Sequence, residues 1–160
     1  VQNTAAVCAL SRAAGANGMV WGQELDLTFE EKPATAEELR EVHRNKTGML
    51  INAAAQLGAV AASADDIQRQ AIARYAFSVG LVFQIIDDIL DVTATAQQLG
   101  KPIGSAANGK TTFVTLHGVE RSRGIAQELT DGACGVLRAA FGGRAQFLET
   151  LAASLLERNQ

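Results

Sequence analysis

The chain has 160 residues, of which 48% are apolar, and a formal net charge of −3. This length predicts one domain with a sizeable core, and the mild negative charge argues against a protein that binds nucleic acid. The apolar stretches are interrupted well before transmembrane length, and two isolated cysteines, Cys8 and Cys134, lack metal-like spacing and indicate reduced thiols in a cytoplasmic protein.

The residue pattern predicts an all-α helical bundle, because Ala, Leu, Glu, Gln and Arg dominate and strand alternation is absent. We expect a first helix from about Thr4 to Leu27, bent near residues 15–18. Thr35 and Glu38 have the spacing of a capping box and predict the start of a helix that runs to about residue 62. Since the chain begins at Val1, without Met and already in a helical pattern, we expect a further N-terminal portion.

The second half of the chain is also predicted to be helical. Ser63 or Asp65 is expected to cap a helix that runs to about Val92. The later elements are expected as a long polar loop from Thr93 to Gly109, helices over 111–119 and 120–140, a break at Gly142-Gly143, and a last helix over 145–158.

Three carboxylates lie in the apolar helical segment that ends near Val92. Asp87 and Asp91 are four residues apart, so a helix places them on one face, with Asp88 beside them and Gln84 one turn earlier. Carboxylates in an apolar segment need a compensating positive charge, and Mg2+ typically takes one or two carboxylates together with waters and phosphate oxygens. The spacing therefore predicts a magnesium site, although a solvated acidic face is the alternative.

Three lysines have chemistry that complements these aspartates. Lys46 lies in the middle of a predicted helix, where it would either extend to solvent or supply a point charge to a phosphate, with Thr47 adding a hydroxyl. Lys101 and Lys110 flank a loop rich in Gly and Asn just after the aspartate helix. If the lysines and aspartates converge, they form a cup for a metal-bridged diphosphate.

Two other kinds of site are excluded by spacing. The Gly-Lys pairs at 100–101 and 109–110 lack the GxxxxGK spacing, after a strand, that defines a P-loop. His43 and His117 have apolar neighbours and no ligand partner one helical turn away, so we interpret both as structural residues.

Five motifs occur in order along the chain: Gly22-Gln23-x-x-Asp26-Leu27, His43-x-x-Lys46-Thr47-Gly48, Phe83-Gln84-x-x-Asp87-Asp88-x-x-Asp91, Leu99-Gly100-Lys101-Pro102-x-Gly104 and Lys110-Thr111-Thr112. This order resembles the trans-prenyl diphosphate synthases, which include the bacterial farnesyl and geranylgeranyl diphosphate synthases. The resemblance covers essentially the whole chain. It implies the C-terminal half of the isoprenoid synthase fold, with residues 1–160 as one partial domain that carries the second of the family's two aspartate-rich motifs.

The resemblance implies a head-to-tail condensation of isopentenyl diphosphate with an allylic diphosphate, assisted by Mg2+. It further implies a homodimer, for which the Ala-rich segment Ile51 to Ala62 offers small residues for close approach. The implied roles are Asp87, Asp88 and Asp91 as metal ligands, Lys46 and Lys101 as holders of the allylic diphosphate, Thr47 and Gln84 beside the developing cation, Lys110 at the leaving group, and Gln23 and Asp26 as supporting residues.

The chain departs from the family pattern in three places. The first aspartate-rich motif and the basic residues upstream of it are absent, Trp21 stands where a glycine is common, and Ala106 follows Ser105 where an aspartate is usual. We therefore expect this chain alone to be inactive. The alternatives are a non-catalytic partner subunit of a prenyl synthase, a fragment of a class I terpene cyclase, and a plain helical bundle with solvated acids.

Overall fold

Helices account for all the regular structure in the computed structural model, which describes residues 2–99 and 110–158, and the side chains of residues 4–93 and 110–158. The helices are α1 (Gln2–Ala14), α2 (Met19–Thr28), α3 (Ala36–His43), α4 (Met49–Ala61), α5 (Asp66–Leu99), α6 (Phe113–His117), α7 (Val119–Phe141) and α8 (Gln146–Leu156). A π-helical turn, Arg44–Gly48, joins α3 directly to α4, and a 3-10 turn, Gly142–Ala145, precedes α8. The all-α prediction is confirmed. Within the described part of the chain, no helix is both long enough and apolar enough to cross a membrane.

Helix α5 is the centre of the fold. The π-helical turn, α4, α7 and α8 all pack against it. Ile85 and Ile89 of α5 are fully buried and pack near Phe113 in one apolar cluster, while Tyr75 and Leu137 belong to a second cluster towards the other end. With 34 residues, α5 is ~50 Å long. It therefore connects the two clusters, and the aspartates lie on a helix against which the neighbouring helices pack.

The predicted helix caps are confirmed by their hydrogen bonds. The Thr35 hydroxyl accepts from the Glu38 backbone N–H, and the Glu38 carboxylate accepts from the Thr35 N–H at 2.8 Å. Of the two candidates for the cap of α5, Asp65 is the one used, since its carboxylate accepts from the Gln68 N–H at 2.8 Å. Ser63 instead adopts a left-handed conformation, with φ of 54°, in the turn that ends α4.

The predicted first helix is in fact two helices. The chain between Thr4 and Leu27 does not bend but breaks between Ala14 and Met19. At Gly18 an added Cβ would lie 2.2 Å from the carbonyl oxygen of Ala13. The chain therefore turns tightly back on itself there, and only a residue without a side chain fits.

The predicted loop from Thr93 was wrong over its first part, because α5 continues to Leu99. The Thr93 hydroxyl donates to the carbonyl oxygen of Ile89 at 2.9 Å, so this residue is satisfied inside the helix. The rest of the predicted loop, residues 100–109, lies outside the described residues.

The last third of the chain follows its predicted elements except at Gly118. Thr112 caps α6, which is shorter than expected and ends at His117. Gly118 then has φ of 77° and separates α6 from α7, and Gly142 has φ of 58° at the end of α7. These positive φ values are most readily reached by glycine. The break at Gly142 was predicted, whereas Gly118 falls inside the predicted helix over 111–119 and was missed as a break.

Candidate functional site

Helix α2 and the π-helical turn touch backbone to backbone at Gly22. A Cβ built on Gly22 would lie 2.1 Å from the backbone nitrogen of Lys46, so no larger residue fits without moving one of the two segments. This contact brings Asp26, one turn further along α2, opposite Lys46. Turns of the π type occur frequently at functional sites, and here the turn carries the Lys-Thr-Gly motif.

The same turn also lies close to the central helix. A Cβ on Gly80 of α5 would lie 3.0 Å from the Cα of Gly48. The π-helical turn is therefore clamped between α2 and α5, so the backbone that carries Lys46 and Thr47 has little freedom to shift.

Asp26 is the anchor of a basic cluster. It is buried, with 8% of its surface exposed. Its Oδ2 lies 2.5 Å from Lys46 Nζ, and its Oδ1 lies 2.9 Å from Lys110 Nζ. Lys110 also lies 3.6 Å from a carboxylate oxygen of Glu30. One buried carboxylate thus fixes two lysines that come from distant parts of the chain.

The charges of this cluster stabilise each other. Burial alone would raise the pKa of Asp26, but the hydrogen bonds and charges of Lys46 and Lys110 outweigh it, and the pKa is lowered. Burial would likewise lower the pKa of Lys110, but Asp26 and Glu30 raise it. The side chains of the two lysines remain 35% and 38% exposed, and each ammonium has three donors. Both lysines therefore keep N–H donors available for an anion.

The three aspartates of α5 have different surroundings. Asp88 is half-buried and accepts from the Phe113 backbone N–H at 2.8 Å, while Asp87 accepts from Arg158 Nη1 at 3.0 Å. Asp91 is exposed. The motif therefore presents one carboxylate to the start of α6, one to the end of the chain and one to the surface.

Mutual repulsion contributes to the titration of these carboxylates. Burial is the main cause that raises the pKa of Asp88 to about 6. The Phe113 hydrogen bond and the charge of Lys110 oppose the shift, and Asp91 and Asp87 add to it. The pKa of Asp87 is also raised, by burial and by Asp91, against the opposing effect of Arg158. Because Lys110 acts on Asp88, the basic cluster and the aspartate motif lie within electrostatic reach of each other.

The donor set fits Mg2+ better than a metal that needs a complete protein cage. Among the described residues, no group of three or more His, Cys, Asp or Glu side chains is arranged to hold a metal ion by itself. Mg2+ does not need such a group, since it usually keeps several waters and takes one or two carboxylates together with phosphate oxygens. Asp87 and Asp91, four residues apart on one helix face, are the candidate ligands that best match this requirement, with Asp88 beside them.

The other predicted site residues differ in their exposure and in whether the structure describes them. Thr47 and Gln84 are half-buried, on the π-helical turn and on α5. Gln23 is exposed on α2, and its side chain makes no hydrogen bond or ion pair within the described ranges. Lys101 lies outside those ranges. Of the predicted set, the structure thus brings Lys46, Asp26 and Lys110 into contact and leaves Gln23 apart from them.

Two contacts at the aspartates were not predicted from the sequence. Arg158, 71 residues from Asp87, also lies with its guanidinium 5.0 Å from the centre of the Phe83 ring. Phe113 acts through its backbone N–H. No local pattern marks an arginine near the end of the chain or a backbone donor, although Phe113 directly follows the Lys-Thr-Thr motif.

His43 is buried against the site. It is 7% exposed, and its ring stacks on Phe113 with a centroid distance of 5.8 Å. Neither ring nitrogen has a hydrogen-bond partner among the described residues. Burial is the main cause that lowers the pKa of His43 to about 4; the charge of Asp26 opposes this shift, and the charges of Lys110 and Lys46 add to it. The burial and the stacking agree with the interpretation of His43 as a structural residue.

We expect His43 to make stability depend on pH. Its ordinary pKa is 6.5 and its pKa in the folded protein is about 4, so between these values the unfolded chain binds the extra proton. Stability is therefore lost as pH falls from about 6.5 to about 4, by as much as ~3 kcal/mol for that difference in pKa. The measurement is urea unfolding at several pH values for the wild type and for His43→Leu.

The comparison with His43→Leu is needed because Asp88 changes the stability with pH in the opposite direction. Its pKa is raised when folded, so it adds stability as pH falls. The stability of the wild type relative to His43→Leu should decrease steadily between pH 6.5 and 4. His117→Leu, which alters an exposed histidine, should leave the pH dependence of the wild type in place. Parallel pH profiles for the wild type and His43→Leu would contradict the assignment.

Comparison with known proteins identifies the class to which this fold and site belong. The model of the polyprenyl synthetase family matches residues 2–135. The chain is 42% identical over 157 residues to farnesyl diphosphate synthase of Escherichia coli. The aligned region covers 94% of this chain and 52% of that protein. This chain belongs to the polyprenyl synthetase family.

Solved structures agree with this assignment. A geranyltransferase from Helicobacter pylori, complexed with magnesium and isoprenyl diphosphate, is 31% identical with a TM-score of 0.75, covering 98% of this chain and 51% of that one. A geranylgeranyl pyrophosphate synthetase from Pyrococcus horikoshii is 27% identical with a TM-score of 0.84. That match covers 98% of this chain and 59% of the Pyrococcus protein. The chain spans about half the length of these proteins, and its fold is that of half an isoprenoid synthase.

Proposed function

We propose that the protein to which this chain belongs is a trans-prenyltransferase that condenses isopentenyl diphosphate with an allylic diphosphate. The observation that carries the proposal is the basic cluster, in which Lys46 and Lys110 share the buried carboxylate of Asp26 within electrostatic reach of Asp88. A site that ionises a diphosphate must neutralise several negative charges at once. The names of the relatives, which are synthases of farnesyl and geranylgeranyl diphosphates, support the same chemistry.

Each residue of the site has a role in this proposal. Asp26 orients Lys46 and Lys110 so that their remaining N–H groups donate to the diphosphate, and Lys101 adds a third positive charge. The oxygens of Thr47 and Gln84 stabilise positive charge on the allylic carbon as the diphosphate leaves. Gln23 would support the site from α2 through the bound diphosphate, since its side chain makes no hydrogen bond with Lys46 or Lys110 in the described part of the chain.

The aspartates complete the site on the side of α5. Asp87, Asp88 and Asp91 would hold Mg2+, which when bound withdraws charge from the diphosphate and makes it a better leaving group. Arg158 holds Asp87 from the end of the chain, and the Phe113 N–H holds Asp88. These two contacts fix the orientation of the two carboxylates.

We further propose a cytoplasmic homodimer. Several large apolar side chains on α1 and α2 are between 43% and 64% exposed, namely Val7, Leu10, Val20, Trp21 and Leu27. Exposed apolar patches mark protein–protein contacts, so these residues support association. The Ala-rich segment Ile51 to Ala62 contacts both α1 and α5 but keeps Ala54, Gly58 and Ala61 exposed, so it stays part of the proposed dimer face.

Residues 1–160 alone should not condense isopentenyl diphosphate. They carry one aspartate-rich motif, which supplies charge on one side of the departing diphosphate, whereas catalysis depends on charges placed around it. The test is an assay of this chain with geranyl diphosphate, labelled isopentenyl diphosphate and Mg2+. We expect no labelled longer product, and a turnover on the order of 1 per second or faster would contradict the proposal.

The matched experiment uses the complete protein under the same conditions. Labelled product from the complete protein, and none from residues 1–160, is the expected pair of results. No product from either would favour a non-catalytic partner subunit, and release of a diphosphate-free hydrocarbon would favour a terpene cyclase.

A further inference from the structure

Three arginines line two adjoining compartments of a groove whose lining does not include Asp26, Lys46 or Lys110. Arg40 is on α3, Arg44 is on the π-helical turn and Arg74 is on α5, and all three are exposed. Within the described ranges none of them forms an ion pair. Arg40 and Arg44 are one helical turn apart, where like charges repel each other. An anion bound between the guanidinium groups would relieve this repulsion.

A groove connects the three arginines. It runs between the π-helical turn, α5 and α7, and has two adjoining compartments of about 210 and 470 Å³. Arg44, Phe77, Ser78 and Leu129 line both compartments, Arg40 lines the smaller one, and Arg74 lines the larger one. The larger compartment falls within the size range of small-molecule sites, about 300 to 1,000 Å³.

The floor of the groove is apolar and holds one arginine in place. The guanidinium of Arg44 lies 4.2 Å from the centre of the Phe77 ring, a stacking geometry that favours a cation. A stacked guanidinium keeps the N–H groups of its edge free, and these match the oxygens of a phosphate in pairs. Ser78, half-buried and one helical turn after Arg74, adds a hydroxyl donor.

The acidic residue at the groove does not cancel its charge. Glu128 lines the larger compartment, but its carboxylate lies 2.8 Å from Arg121 Nη1 and is already paired. The groove therefore combines the positive charge of its arginines with the apolar surface of residues such as Phe77 and Leu129. We infer that it binds a phosphate or diphosphate ester that carries a short apolar chain, at a site separate from the Lys46 and Lys110 cluster.

Calorimetry with geranyl monophosphate and with inorganic phosphate tests this inference on the purified protein, with EDTA present so that the aspartate motif does not contribute. We expect geranyl monophosphate to bind at least 10-fold more tightly than inorganic phosphate, because the apolar floor contacts the chain. The double variant Arg44→Gln, Arg74→Gln should weaken that binding by at least 10-fold. Both arginines are exposed, so the fold should be retained.

A second variant blocks the groove without removing charge. A Cβ at Gly132 or at Gly135 of α7 would meet no atom within 4 Å, so both positions accept a side chain, and of the two Gly132 lines the groove. Gly132→Phe should weaken binding of geranyl monophosphate at least 10-fold, and Gly135→Phe should leave it within twofold of the wild type.

Three results would overturn the inference. The first is unchanged binding in both the arginine double variant and Gly132→Phe. The second is loss of all binding in Lys46→Ala, which would place the ester in the Asp26 cluster. The third is arginine-dependent binding to vesicles that contain phosphatidic acid together with no binding of free geranyl monophosphate, which would make the arginines a membrane-contact surface.

Discussion

Replacing Lys46 by Ala in the complete enzyme should lower the turnover of allylic substrate by a factor on the order of 10² or more, the scale of losing one preorganised electrostatic stabiliser. Lys46 is fixed by Asp26 and, in the proposed function, donates to the diphosphate as it leaves. The loss should appear in kcat as well as in kcat/KM, because the charge on the leaving group grows as the bond breaks. Steady-state kinetics with geranyl diphosphate measure both quantities.

Lys32→Ala is the matched control for this substitution. Lys32 is an exposed lysine whose ammonium lies 5.3 Å from the centre of the Phe29 ring, and it makes no ion pair with Asp26. The same lysine-to-alanine change at Lys32 should leave kcat within about twofold of the wild type, as expected for a surface substitution away from the site. Equal kinetics for Lys46→Ala and Lys32→Ala would refute the role assigned to Lys46.

Gly22→Ala should destabilise the protein by about 2 to 3 kcal/mol, the upper part of the usual cost of overpacking. The added Cβ would lie 2.1 Å from the Lys46 backbone nitrogen, and a backbone atom has no rotamer by which to move aside. The two segments must separate, and the ion pair between Asp26 and Lys46 must lengthen with them. Urea unfolding measures the stability, and the activity of the complete enzyme should fall as well.

Gly135→Ala is the control for the glycine substitution. Gly135 lies in the interior of α7, and a Cβ there would meet nothing within 4 Å. Since glycine is a poorer helix former than alanine, this variant should be more stable by ~0.5 to 1 kcal/mol. A loss of stability in Gly22→Ala no larger than a few tenths of a kcal/mol would show that α2 and the π-helical turn do not need this close contact.

Local features of the fold could be predicted from the sequence because their partners lie close along the chain. The capping box of Thr35 and Glu38 spans three residues, and the predicted break at Gly142 depends on the backbone of a single residue. The extension of α5 beyond Thr93 was missed, because a polar, Thr-containing stretch favours a loop by composition whereas the Thr93 hydroxyl is satisfied within the helix.

The candidate site was predictable as a set of residues but not as a set of contacts. Family motifs pointed to Asp26, Lys46 and Lys110, yet nothing in their spacing indicates that one buried aspartate holds both lysines. Arg158 was not predicted at all, because its contact with Asp87 arises only when α8 packs along α5. Contacts between distant segments depend on tertiary packing, which periodicity along one helix does not describe.

The π-helical turn at Arg44–Gly48 also changes the phase of the helix that contains it. An α-helix advances about 100° per residue, so the additional residue of a wider turn offsets everything after it by that angle relative to everything before it. Leu39 and Val42, both buried, define the inward direction of α3, whereas the inward direction of α4 is set after the offset. A heptad or 3.6-residue template drawn through 36–61 therefore loses its phase at the turn, and the buried positions of α4 have to be counted from the turn and not from α3.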